Sequence, residues 1–166
     1  MIIRPVEPAD YGELGALTLD AYTSLDGHVH EPDYEVELAD VRSRAEAPAT
    51  LVLVAVDDDG RLIGGVTYAI DHTSPFAEGT PEDGASFRML AVAPSSQGRG
   101  TGKALVHACI ARANQDGKTA LVLHTTPWMT TAHRLYEGLG FARDSERDWQ
   151  ATPQVLLLGY RLDLVP

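Results

Sequence analysis

Residues 97–103 read Gln97-Gly98-Arg99-Gly100-Thr101-Gly102-Lys103, directly after the apolar run Met89-Leu90-Ala91-Val92-Ala93-Pro94 and directly before a stretch with helical periodicity. Three glycines at alternate positions let the main chain approach a ligand closely with its N–H groups turned inward, and the first turn of a following helix adds partial positive charge. Phosphate oxygens are the natural ligand of such a loop. Arg99 and Lys103 place two full charges beside it, in a chain whose 24 acidic and 13 basic residues give a formal net charge of −11. Spacing excludes two familiar phosphate loops. Gly102-Lys103 is followed by Ala104, so the hydroxyl that a nucleotide-hydrolase loop offers to magnesium is missing. Gly98, Gly100 and Gly102 do not follow a Gly-x-Gly-x-x-Gly pattern, and they come too late in the chain for a dinucleotide fold.

The elements that must position this loop are legible on both sides of it. Phe87 to Val92 reads as a central strand, and a helix runs from Gly100 to Asn114 with Val106, Cys109, Ile110 and Ala113 on its apolar stripe. Upstream, Ile2 to Val6 is a first strand, Pro8 opens a helix carrying Leu14, Leu17 and Ala21, and Leu38, Val41 and Ala45 mark a second helix. Between those helices Ser24 to Pro32 is a polar connection that includes Asp26, His28, His30 and Glu31. Thr50 to Val56 and Leu62 to Ile70 form a hairpin around Asp57-Asp58-Asp59-Gly60. Asp71 to Gly84, with two prolines and two glycines and no periodicity, is a long loop of the kind that covers a site. Downstream come a strand at Ala120 to Thr125, a helix from Thr130 or Thr131 to Gly140, and strands near Phe141 to Asp148 and Leu156 to Leu164. Cys109 reads as core packing.

Three segments together are diagnostic: the Met89–Pro94 strand, the Gln97–Leu105 loop and helix start, and Ala132-His133-Arg134-Leu135-Tyr136-Glu137-Gly138-Leu139-Gly140-Phe141. In that combination the chain resembles the GNAT superfamily of N-acetyltransferases, in element order from about Ile2 to Leu164. The resemblance implies a single α/β domain spanning 1–166. Its mixed, mostly antiparallel sheet would be flanked by about four helices and would splay where acetyl-CoA binds. It implies that the backbone of Leu90, Ala91 and Val92 holds the pantetheine arm, that the Leu90 N–H polarises the thioester carbonyl, and that Gln97, Gly98, Arg99, Gly100, Thr101, Gly102 and Lys103 hold the pyrophosphate. Tyr136 matches the general-acid position. The activity implied is acetyl transfer from acetyl-CoA, as co-substrate, to an amine by direct attack in a ternary complex.

Two positions depart from the family pattern. Ser86 stands where a glutamate often serves as general base, and Met129 where an asparagine is frequent. A hydroxyl cannot retain a proton taken from an ammonium, so Ser86 at most orders a water. His124, late in the strand beside the thioester, is the first substitute, ahead of His28 and His30, because imidazole titrates near neutrality. Asp26, Glu31, Glu78, Glu82 and Asp83 fall in the two loops expected over the acceptor, favouring a cationic small-molecule or peptide amine. The alternative reading is an acetyl-CoA-binding sensor without turnover.

The acidic balance disfavours nucleic acid, charged transfer RNA included, because such partners call for a basic face. No apolar run approaches the ~18 residues of a membrane span, and the first residues lack a secretory pattern, so the location expected is cytoplasmic. No paired ligand motif points to a metal. The C-terminal strand is a candidate for pairing across a homodimer.

Overall fold

A computed structural model describes residues 1–165. Eight strands form one sheet in the order β1-β2-β3-β4-β5-β8-β6, with β7 also on β8. The first four, β1 (Ile2–Pro5), β2 (Thr50–Val56), β3 (Leu62–Ala69) and β4 (Ala85–Val92), are antiparallel neighbours. β5 (Ala120–Thr125) joins β4 in parallel, and β8 (Val155–Asp163) pairs with β5 on one side and with β6 (Ala142–Arg143) and β7 (Trp149–Thr152) on the other. The fold is therefore the mixed, mostly antiparallel α/β architecture expected. β8 is paired with β5 over 158–163 and with β7 and β6 over 155–157 and 160–161.

Alternation along β2 sorts the two faces. Val52 and Val54 pack with Leu14 of α1 (Tyr11–Thr23) and Val41 of α3 (Val41–Ala45). Leu53 and Ala55 pack with Leu105, Val106, Cys109 and Ala113 of α4 (Thr101–Gln115). α2 (Pro32–Ala39) and α5 (Thr130–Gly138) bring the helices to five rather than four. The extra one arises because the expected second helix breaks at Asp40, whose side chain accepts the Ser43 N–H and caps a new helix instead of continuing the old. The strand expected over Phe141 to Asp148 is only Ala142–Arg143. A 3-10 turn at Ser145–Arg147 follows, and β7 begins after it. Asp148 explains the interruption, since it takes the Gly159 N–H and both Arg143 guanidinium nitrogens and turns the chain there. No described helix is long and apolar enough to cross a membrane.

Candidate active site

The site begins with an irregularity in β4. Met89 has a φ of 55°, and the β3–β4 register slips between Gly65 and Thr67. A left-handed, non-glycine residue in a strand marks a β-bulge, which bends the strand. β4 accordingly stays with β5 for two pairs only, Ala85 with Leu121 and Ser86 with Val122, and the two strands part beyond them.

A cavity of about 440 Å³ lies over this gap and the start of α4. Leu90, Ala91 and Val92 line one wall, and Gln97, Gly98, Gly100, Thr101, Gly102 and Lys103 line its floor. Gly98 and Gly100 have φ values of 76° and 80°, which only glycine adopts freely. The helical ladder starts with the Ala104 N–H on the Gly100 carbonyl at 2.9 Å, so the N–H groups of Thr101, Gly102 and Lys103 have no intrahelical acceptor. The Thr101 hydroxyl is buried and has no hydrogen-bond partner in the protein. These donors fit a polyphosphate. Arg99 is exposed and is not part of the cavity wall.

A second cavity, about 430 Å³, lies across the gap and shares Tyr22, Trp128 and Met129 with the first. Gly27, at φ 84°, lets the α1–α2 connection close beneath Trp128, where an added Cβ would come within 2.9 Å of the indole-bearing carbon. Glu31, Asp33, Glu37 and Glu78 line this cavity against a single arginine, Arg88. Arg88 lies 3.8 Å from Glu78, 4.0 Å from Glu37 and 5.8 Å from the centre of the Tyr34 ring. Burial opposes its charge, yet Tyr34, Glu78 and Glu37 outweigh burial and hold the guanidinium pKa above its ordinary value. Arg88 is thus already neutralised by the protein, and the remaining lining is net acidic with aromatic walls at Tyr22, Tyr34 and Trp149.

The expected catalytic residues are distributed unevenly around these cavities. His124 lines the second one, but its side chain is only 1% exposed. Its Nε2 lies 2.8 Å from the Arg147 carbonyl, which can only accept, so Nε2 carries the hydrogen and Nδ1 is the free lone pair when the ring is neutral. That Nδ1 faces Glu78 Oε1 at 3.5 Å and has no other partner. Glu78, 19% exposed, stands on the cavity side of the ring. Ser86 is 3% exposed, bonded by the Thr80 hydroxyl at 2.6 Å, and borders neither cavity. Tyr136 is 4% exposed and packs its ring against Phe87, Phe141 and Tyr160 at 5.8, 5.9 and 6.1 Å, also outside both cavity linings. Burial, with Cys109 nearby, pushes its phenol far above the usual range, so it is protonated at any physiological pH. Tyr22, at the junction, is raised by burial and then by the neighbouring Tyr34 and Tyr136 phenols.

Among the acidic residues expected over the acceptor, Glu31 and Glu78 line the second cavity and Asp26 the first, while Glu82 and Asp83 line neither. His28 borders the second cavity; His30 does not. Sequence reasoning overlooked Tyr22, Tyr34, Glu37, Arg88, Trp128 and Trp149. Arg88 carried a usable signal, being a charge inside an otherwise apolar central strand.

Residues 16–141 match the acetyltransferase (GNAT) family. The chain belongs to that family. Among named relatives, the mycothiol acetyltransferase of Renibacterium salmoninarum is 35% identical over 118 residues, 69% of this chain and 34% of that protein. The mycothiol acetyltransferase of Salinispora tropica is 34% identical over 131 residues, 75% of this chain and 41% of its own length. The chain therefore spans a third to two fifths of these relatives. Solved GNAT structures share the fold over the whole chain. An acetyltransferase of the GNAT family from Staphylococcus aureus Mu50 superposes with a TM-score of 0.78 at 14% identity, covering 99% of both chains. A GCN5-related N-acetyltransferase from Kribbella flavida gives 0.72 at 24%, covering 98% of this chain and 97% of its own. The yncA structure from Salmonella typhimurium, solved with its cofactor acetyl-CoA, gives 0.67 at 21%, covering 100% of this chain and 95% of its own.

Proposed function

We propose that this GNAT-family chain transfers an acetyl group from acetyl-CoA to the primary amine of a small cationic acceptor, by direct attack in a ternary complex. The observation that carries the reading is the meeting of two cavities at Tyr22, Trp128 and Met129, one floored by free N–H groups and the other lined by carboxylates. Acetyl-CoA supplies the thioester acyl group; the rest is work for the chain's own residues.

The N–H groups of Thr101, Gly102 and Lys103, the Thr101 hydroxyl and the Lys103 ammonium bind the pyrophosphate. The Leu90 N–H, next to the bulge at Met89 and on the cavity wall, is assigned the role of oxyanion donor. Glu31, Asp33 and Glu37 draw in the cationic acceptor. Glu78, rather than the buried His124, meets the ammonium and accepts its proton, and His124 Nδ1 stabilises the protonated carboxyl from behind as a hydrogen-bond acceptor. His124 is then a positioning residue. Tyr136, although outside both cavity linings, is assigned as proton donor to the leaving sulfur, a role its neutral phenol permits.

A sensor that binds acetyl-CoA without turnover is the rival, and the burial of Ser86 away from both cavities favours it. A panel of primary amines, including spermidine, tyramine and an amino sugar, assayed for thiol release from acetyl-CoA separates the two. Amine-dependent release with matching acetylated product supports transfer, and tight binding without release from any amine supports the sensor.

A further inference from the structure

His28, His30 and Glu35 each bring one ligand atom within 4.8 Å of the other two. The two histidines come from the α1–α2 connection and the glutamate from the first turns of α2, outside the machinery assigned to acetyl transfer. His30 Nδ1 and Glu35 Oε2 are 2.5 Å apart. His28 Nε2 and Glu35 Oε2 are shielded from solvent; His28 Nε2 has no hydrogen-bond partner in the protein, and Glu35 Oε2 has only its close contact with His30. A proton held between His30 and Glu35 leaves His28 Nε2 shielded and unpaired, at a penalty of about 1–3 kcal/mol. A divalent ion serves all three at once.

We propose that His28, His30 and Glu35 form a binding site for a divalent transition-metal ion, Zn²⁺ foremost, at the rim of the acceptor cavity. Two imidazoles and one carboxylate are the donor set of open zinc sites, whereas Ca²⁺ and Mg²⁺ select oxygen ligands. Bonds of about 2.0–2.1 Å hold tetrahedral ligand atoms roughly 3.3 Å apart, so the widest separation must close by at most about 1.5 Å and the His30–Glu35 contact must open by about 0.8 Å. His30, with its side chain 74% exposed, is free to supply that movement. Glu35 sits near the N-terminal end of α2, where a carboxylate is favoured. Binding would tie the α1–α2 connection to α2. It would also set positive charge beside Glu31 and Asp33 of the acceptor cavity, so that the ion opposes entry of a cationic amine. That last consequence rests on the function proposed above; the site itself does not.

The test is titration of the chelator-treated full chain with ZnSO₄ by calorimetry, in a non-coordinating buffer. One ion per chain with a Kd at or below about 10 μM is expected, weakened at least about tenfold in His28→Ala and in His30→Ala and unchanged in the control His72→Ala. Circular dichroism checks that each variant is folded, and Glu35→Gln repeats the test without truncating a side chain. Absence of saturable binding in the parent, or binding equal in parent and His28→Ala/His30→Ala, overturns the site. Acetyl-CoA titrated into the same samples keeps the two readings apart: cofactor binding with no zinc binding removes this inference alone, and zinc binding with no cofactor binding removes the other.

Discussion

Replacing Glu78 by glutamine preserves shape while removing the carboxylate that faces His124 Nδ1 at 3.5 Å and Arg88 at 3.8 Å. The fold should tolerate it. Arg88 keeps Glu37 at 4.0 Å and the Tyr34 ring at 5.8 Å, so its charge is not left unpaired, and losing a pair whose side chains are each 19% exposed should cost on the order of 1–3 kcal/mol. Catalysis should not tolerate it. An alkylamine of pKa about 10.4 is neutral in only about one molecule in 2,500 at pH 7, and in about one in 25 at pH 9. An enzyme without a positioned base draws on that fraction, so its kcat/KM climbs roughly tenfold per pH unit over this range. A positioned base is worth about 10²–10⁴ in rate. Glu78→Gln should therefore lose at least about 100-fold in kcat/KM at pH 7, and the gap to the parent should narrow steadily toward pH 9. Thiol release, followed with the best amine of the panel at subsaturating concentration from pH 6.5 to 9, reads this out. A parent-to-variant ratio that stays constant with pH, or a parent profile that itself rises tenfold per unit, refutes Glu78 as the base.

Tyr136→Phe keeps the ring that packs on Phe87, Phe141 and Tyr160, so acetyl-CoA affinity should hold while kcat falls roughly ten- to a thousandfold. Parent-like turnover would make Tyr136 a packing residue only. Ser86→Glu places a carboxylate where the Thr80 hydroxyl now seals a buried site, so it should lower stability by about 2 kcal/mol or more without raising turnover at pH 7; denaturant melts and the pH–rate profile check both. Asp148 is depressed by its bonds to Arg143, with burial opposing and the Gly159 N–H assisting. A depressed carboxylate stabilises the fold above its unfolded value near 3.9 and loses that contribution as pH falls through the folded value. Asp148→Asn should thus be less stable than the parent at pH 7, by about 1 kcal/mol, and the gap should close only as pH falls below the depressed folded value.

The lining of the first cavity was legible in the sequence because main-chain geometry sets most of it. Gly98 and Gly100 at positive φ, and the helix start after them, follow from residue type alone, whereas Leu90, Ala91 and Val92 came from the resemblance to the family. The second cavity was legible only in part: Glu31, Glu78, His28 and His124 were named for it, but the rest come from separate elements. Tyr22, Tyr34, Arg88 and Trp128 meet only once β4 bulges at Met89 and Gly27 admits Trp128, and neither event has a period to detect. His124 illustrates the same limit. The strand position was readable, but its burial behind Glu78 and its bond to Arg147 depend on where the Asp71–Gly84 loop and the Ser145–Arg147 turn fold back. The broken helix at Asp40 and the shortened β6 were missed because a side-chain cap and an Asp148 turn overrode apolar spacing.

The most direct test of the account is calorimetric titration of acetyl-CoA into the parent chain and into Gly102→Asp. Gly102 lines the first cavity with an ordinary helical φ, and a Cβ there meets the flexible end of Leu135 at 3.3 Å, so the variant should fold. Its carboxylate would both fill the pyrophosphate position and repel it, at about 4 kcal/mol for two charges 4 Å apart near a protein surface. Binding of one acetyl-CoA per parent chain, with affinity reduced at least about 100-fold in Gly102→Asp, is the predicted result, equivalent to about 2.7 kcal/mol. Equal affinity in a folded Gly102→Asp, or no binding to the parent, would contradict the assignment of this loop and the function built on it.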